Sequence, residues 1–188
     1  VTGVQTFALP ISSEFGISTT TKEDGLTHEA IAVEKAVAWS KAGVTLAIAS
    51  DGGLVVPSLG ARWQSRYTRR FAGSDVDDAQ RVDALLELME PFTGTDRNAF
   101  WVEAIAIAHK GRLLVSWETQ GATGEIARYK PTGPIPEFWA FTIWNFPELD
   151  KTYNQLTPEE LLYLNDHWSR LAQLVRKFFR SIFVPPLD

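Results

Sequence analysis

The chain has 188 residues, a formal net charge of −5 and no cysteine. That length suits one domain with a real core and is too short for two comfortable ones. Hydrophobic residues make up 45 % and aromatic residues 12 %, so disorder is not the expectation. The acidic balance, without blocks of like charge, argues against a nucleic-acid surface. The lack of cysteine excludes disulfides and thiolate metal sites and fits a cytoplasmic protein. No apolar run reaches membrane-spanning length.

Residues 1–12, Val1 to Ser12, resemble the translation of a sequencing adapter, in frame except at Phe7, where the adapter would encode Cys. They are set aside from fold reasoning as a processing scar would be. The expectation is a metagenomic chain whose natural N-terminus is missing, with residues 13–188 forming one α/β domain. Residues 13–27 read as loop, with a short strand near Phe15 to Ile17.

Residues 28–42 read as a helix: Ala32, Val33, Ala36 and Val37 make an apolar stripe, Glu29 and Lys41 suit its two ends, and Gly43 stops it. Val44 to Ala49 reads as a short buried strand ending at Asp51-Gly52-Gly53. Helix followed directly by strand is half of an α/β crossover. Asp51 has two readings. It is a turn residue bonded to its own backbone, or an acid delivered to a sheet rim where α/β folds bind ligands.

Between Arg62 and Phe71, four arginines alternate with aromatics. Nucleic-acid binding is one reading; a loop with solvated heads and packed stems suits an acidic chain better. Residues 75–90 read as a helix opened by Asp75, Asp77 and Asp78, with Val82, Leu85, Leu86 and Met89 inward. Residues 99–108 read as a central strand, His109 to Arg112 as a hairpin turn, and Leu113 to Glu118 as the returning strand. Further strands are expected at Gly124 to Tyr129 and Phe138 to Phe146, separated by a proline-rich loop. Thr157-Pro158-Glu159-Glu160 is a strong helix start. One long apolar stripe, Leu161 to Ile182, predicts a long C-terminal helix ended by Pro185-Pro186.

In this order the motifs resemble those of the inosine-triphosphate pyrophosphatase family, the non-canonical purine nucleoside-triphosphate pyrophosphatases. Glu23-Asp24-Gly25-Leu26-Thr27 resembles the family's E-T-G-x-T, Lys35-Ala36 its K-A, and Ala49 to Leu54 its A-D-D-S-G-L. Arg70-Phe71-Ala72-Gly73 resembles R-Y-A-G, Arg97-Asn98-Ala99 R-x-A, and Gly124-Glu125-Ile126 G-x-I. Lys151-Thr152 and Leu156 to Glu160 resemble K-T-x-x-E-L-x-x-E-E. The resemblance covers about residues 15–180.

It implies a mixed α/β sheet in two lobes with a central cleft and flanking helices. The implied reaction is metal-dependent hydrolysis of deaminated purine nucleoside triphosphates to the monophosphate and pyrophosphate, by a cytoplasmic homodimer. By the match, Glu23 and Asp51 hold Mg²⁺, Asp51 orients the attacking water, and Lys35 sits on the phosphates. As ordinary surface residues, Glu23 is a loop acid and Lys35 a solvated helix lysine. Phe138, His167 and Arg170 are weaker candidates for base contact; a strand aromatic such as Phe138 is more often core, and His167 reads equally as helix surface. His28 and His109 read as loop residues without a role.

The sequence also departs from the pattern. The family's S/T-x-x-N-x-x-K phosphate loop has no counterpart, because adapter-like sequence takes its place. Ser50 replaces the first Asp of D-D-S-G, and F-G-Y-D becomes Phe138-Trp139-Ala140-Phe141, which loses its acid. Weakened activity is therefore expected, and a non-catalytic relative that keeps the fold is the alternative.

Overall fold

The structure is a computed structural model, and it describes residues 19–21, 24–73, 75–130, 132, 133, 135 and 138–183, with the backbone alone at Phe183. The adapter-like stretch, the expected strand near Phe15, Glu23 and Pro185-Pro186 lie outside these residues.

The described chain runs α1 (His28–Ala42), β1 (Leu46–Val55), α2 (Asp78–Leu88), β2 (Asn98–His109), β3 (Arg112–Ile126), β4 (Trp144–Phe146), β5 (Lys151–Thr152), α3 (Pro158–Tyr163) and α4 (His167–Phe183), with short 3₁₀ turns between. The α/β class holds. The five strands lie in sequence order, and their pairings are all antiparallel. The parallel half of a mixed sheet therefore has no counterpart among the described residues: α1 leads into a strand that pairs with the hairpin β2–β3.

Thr27 caps α1 by accepting from Ala30 N–H at 3.1 Å. One face of α1 buries Ala32 and Ala36 on Ala104, Ala106 and Ala108 of β2. Alanines on both sides allow a close helix–sheet approach. The opposite face of β2 presents Ile105 and Ile107 to Leu171, Leu174, Val175 and Phe178 of α4. Beside this sandwich, a larger cluster joins Leu54, Val82, Leu85 and Met89 to Trp139, Trp144, Phe146 and Tyr153.

Several expected boundaries move, each for a tertiary reason. The strand read as Val44 to Ala49 runs instead from Leu46 to Val55, so Asp51 sits mid-strand and the two glycines are not a turn. They are small because neighbours stand where side chains would go. A Cβ at Gly53 would lie 2.0 Å from the Ser65 carbonyl oxygen, and one at Gly52 would lie 1.9 Å from Glu103 Oε2. Gly53→Ala forces backbone apart and is expected to cost about 2 kcal/mol in urea unfolding. Gly52→Ala meets side chains, the Glu103 carboxylate and the Trp101 indole nitrogen at 2.7 Å, rather than backbone, and is expected to cost less. Equal costs would contradict this packing.

The strands expected at 113–118 and 124–129 are one, β3, interrupted by a bulge at Gly121 and Ala122 opposite Trp101. A Cβ at Gly121 would lie 3.0 Å from His167 Nδ1, so this glycine makes room for α4. The aromatic run 138–146 is a 3₁₀ turn, Trp139–Thr142, followed by the three residues of β4. The long C-terminal helix is two helices. Asn165 takes φ +47° between them. Asp166 then restarts the chain, accepting from Ser169 N–H at 2.8 Å and from the Tyr153 hydroxyl at 2.7 Å.

Candidate functional site

The i, i+7 spacing of His28 and Lys35 puts both on the face of α1 turned toward β1. Between them lies Asp51. Lys35 Nζ donates to Asp51 Oδ1 at 2.8 Å, and His28 Nδ1 stands 2.7 Å from Asp51 Oδ2. An ionised carboxylate only accepts, so Nδ1 carries the proton of that bond. In the neutral imidazole, Nε2 then accepts from the Ser65 hydroxyl at 3.0 Å. Burial pushes the Asp51 carboxyl upward, but the bonds from His28 and Lys35 together outweigh it and hold its pKa below the ordinary value. The pair is worth more than a surface ion pair, since the Asp51 side chain is 16 % exposed.

Asp51 opens onto a cleft of about 1000 Å³. Arg66, Arg69 and Arg70 line it from the segment after β1, and Arg81 from α2. The guanidinium of Arg66 also donates to the Gly25 carbonyl at 2.7 Å, which fastens the loop before α1 to this segment. Phe138, Trp101 and Trp168 supply aromatic lining, and Asp77, Asp78 and Glu103 are further acids in it, with Asp78 paired to Arg81 at 2.6 Å. Cations over one part and flat rings over another form a surface suited to a polyanion joined to an aromatic group.

Of the residues singled out in the sequence, Asp51, Lys35 and Phe138 come together in this cleft. Glu23 lies outside the described residues. His167 is fully buried, stacked between Trp101 and Tyr153 at 5.9 and 5.5 Å, and burial pushes its pKa down to about 4. It belongs to the core rather than to the cleft lining. Arg170 donates to the carbonyls of Asn165 and Gln120 at 2.8 and 2.7 Å, tying α4 to its own start and to β3.

The sequence reading missed His28, which was assigned no role, and Glu103. The arginines of 62–70 read in the sequence as solvated loop residues, whereas three of them line the cleft. The signals were present: the seven-residue step from His28 to Lys35, and one acid on an apolar strand.

Asp51 offers a hard oxygen donor at the cleft wall, and each of its oxygens accepts one hydrogen bond, which leaves each a further lone pair. A small divalent cation that takes one or two protein carboxylates, with water and phosphate for the rest, suits such a donor. Among the described residues, no group of three or more His, Cys, Asp or Glu side chains forms a closed metal cage.

A profile described as the Ham1 family matches residues 4–175. The dITP/XTP pyrophosphatase of Bacillus subtilis is 31 % identical over 150 residues, covering 79 % of this chain and 73 % of the relative. That of Geobacillus kaustophilus is 33 % identical over 155 residues, covering 81 % and 72 %. Among solved structures, a HAM1 protein from Coxiella burnetii superposes with a TM-score of 0.71 at 26 % identity, covering 88 % of this chain and 84 % of that one. The Staphylococcus aureus Ham1 protein gives 0.71 at 29 % identity, with 90 % and 84 % covered.

Proposed function

This chain belongs to the Ham1 family, and we propose that it hydrolyses non-canonical purine nucleoside triphosphates, of the dITP and XTP class, to the monophosphate and pyrophosphate. The observation that carries this reading is Asp51, ionised between Lys35 and His28 and facing a cleft lined with arginine. The relatives named dITP/XTP pyrophosphatase support the substrate class.

Attack of water on a phosphorus atom is opposed by the negative charge of the surrounding oxygens. Lys35 and the arginine wall lower that charge repulsion and hold the polyphosphate in one orientation. Asp51 is held in one rotamer by two bonds, which suits a carboxylate that must align a water molecule. A divalent cation, Mg²⁺ in this proposal, would be held by Asp51 together with Glu23 and would supply Lewis-acid polarisation of the phosphoryl oxygens. Phe138, exposed on the cleft, offers a face for the base.

No described helix is long and apolar enough to cross a membrane. We further propose a cytoplasmic homodimer that does not act on nucleic acid. Exposed Ile182 on α4 offers an apolar contact, and sedimentation at micromolar concentration tests the dimer.

The experiment for the activity is a pyrophosphate-release screen over dITP, XTP, dATP and dGTP with Mg²⁺. Release from dITP and XTP, abolished by a chelator and restored by added Mg²⁺, is expected. Release from none of these nucleotides would overturn the hydrolytic reading. Release that survives chelation would overturn the metal.

A further inference from the structure

Glu103 is a buried acid for which the fold has no evident need. It lies on the face of β2 turned away from α1, between Trp101 and Ile105, and is 5 % exposed. Its carboxylate fills the space over Gly52. Oε2 accepts from Trp101 Nε1 at 2.7 Å, and the Ser50 side chain makes another hydrogen bond. Burial raises its pKa against both of these bonds. Placing a carboxyl group here is costly unless its acceptor capacity is used.

The indole that holds Glu103 is the centre of a continuous run of rings. Phe138 meets Phe141 at 5.4 Å, Phe141 meets Trp101 at 4.8 Å, Trp101 meets His167 at 5.9 Å, and His167 meets Trp168 at 5.6 Å. The two ends of the run, Phe138 and Trp168, are 58 % and 43 % exposed and line the same cleft as Glu103. Rings at the wall with one hydrogen-bond acceptor among them suit a flat heterocycle that has an N–H to donate.

We propose that Glu103 reads the base of the bound nucleotide, accepting the N1–H of a 6-oxopurine. The inference rests on the nucleotide reading given above and names the residue that selects within it. Hypoxanthine and xanthine carry N1–H beside the C6 carbonyl. Adenine presents a bare N1 lone pair there, so a carboxylate would face it acceptor to acceptor. Guanine shares the N1–H, and the discrimination is therefore between 6-oxo and 6-amino purines. A site built around a required hydrogen bond rejects an analogue that lacks it far more strongly than a shape-matched apolar pocket does.

The test is equilibrium binding of dIMP and dAMP to the whole chain, followed by tryptophan fluorescence, with pyrophosphate release from dITP scored separately. The wild type is expected to hold dIMP at least ~10-fold tighter than dAMP. Glu103→Gln can offer an amide N–H to adenine N1 and is expected to bring the two affinities within about 3-fold. Trp101→Phe keeps a ring but removes the N–H that fixes the carboxylate; it is expected to narrow the ratio as well, and it decides the matter if Glu103→Gln does not fold. An unchanged ratio in the folded variants, or a wild type without preference between the two nucleotides, overturns the role of Glu103. A Glu103-dependent preference without pyrophosphate release would count against hydrolysis alone.

Discussion

Asp51→Asn is expected to lower pyrophosphate release by ~10²–10⁴-fold while the protein stays folded. The amide matches the carboxylate in shape, so the strand, α1 and the cleft keep their packing. What changes is charge and hydrogen-bond polarity. Lys35 Nζ and His28 Nδ1 both point donors at the two carboxylate oxygens, at 2.8 and 2.7 Å. An amide must turn its own NH₂ toward one of them; Lys35 can only donate and keeps the oxygen, so His28 must change tautomer to accept the NH₂ and donate to Ser65 instead. The hard anionic ligand for a cation disappears at the same time. Turnover in this variant within 10-fold of the wild type would refute the placing of Asp51 at the reacting centre.

The same pair sets a sign for stability against pH. Asp51 titrates below its ordinary value of 3.8 because the bonds from His28 and Lys35 outweigh the opposing effect of burial. A carboxyl group with a depressed folded pKa contributes stability that is fully present above the unfolded value. That contribution is lost as pH falls from there through the folded value. Acid unfolding of Asp51→Asn should therefore lack this contribution, giving a shallower loss of stability below about pH 4 than in the wild type.

What could be read in the chain follows the range of the forces involved. α1 was legible because its cap Thr27, its stripe and its stop at Gly43 are all local. The β2–β3 turn was legible because Lys110 and Gly111 must both take positive φ, which Gly111 accommodates freely. Asp51-Gly52-Gly53 misled because the sequence looks like a turn; its glycines answer instead to Ser65 and Glu103, far off in sequence. The break between α3 and α4 was hidden for a similar reason. The apolar stripe runs on through it, and what stops the helix is Asp166 reaching Tyr153, 13 residues back. In the site, the acid stands out at the end of an apolar run, and the lysine through the resemblance. His28 does not, because its contact with Asp51 spans 23 residues.

Arg97→Met is expected to destabilise the protein more than any surface change, by about 3–5 kcal/mol. In the sequence Arg97 stands out only as part of an R-x-A motif, and its position makes it a structural residue. It is 4 % exposed, and its guanidinium donates Nε–H to the Ile126 carbonyl at 2.8 Å and Nη1–H to the Met89 and Phe92 carbonyls at 2.5 and 3.2 Å; Nη2–H reaches the Ala127 carbonyl. These acceptors sit at the end of α2, in the turn after it, and at the end of β3. One planar fork thus fastens the helix of the larger core to the hairpin that carries Glu103. Methionine fills a similar volume but donates nothing, so it leaves buried carbonyl groups without partners. Lysine keeps the charge on a single nitrogen that cannot span the same set of acceptors, and it should recover only part of the loss. For a chain of this length, the expected fall in Tm is about 10 °C, read by circular dichroism. Because the damage lies in the support of the cleft rather than in its wall, Arg97→Met assayed well below its own Tm should retain most of its pyrophosphate release. A Tm within about 2 °C of the wild type would show that those carbonyl groups are satisfied without the arginine.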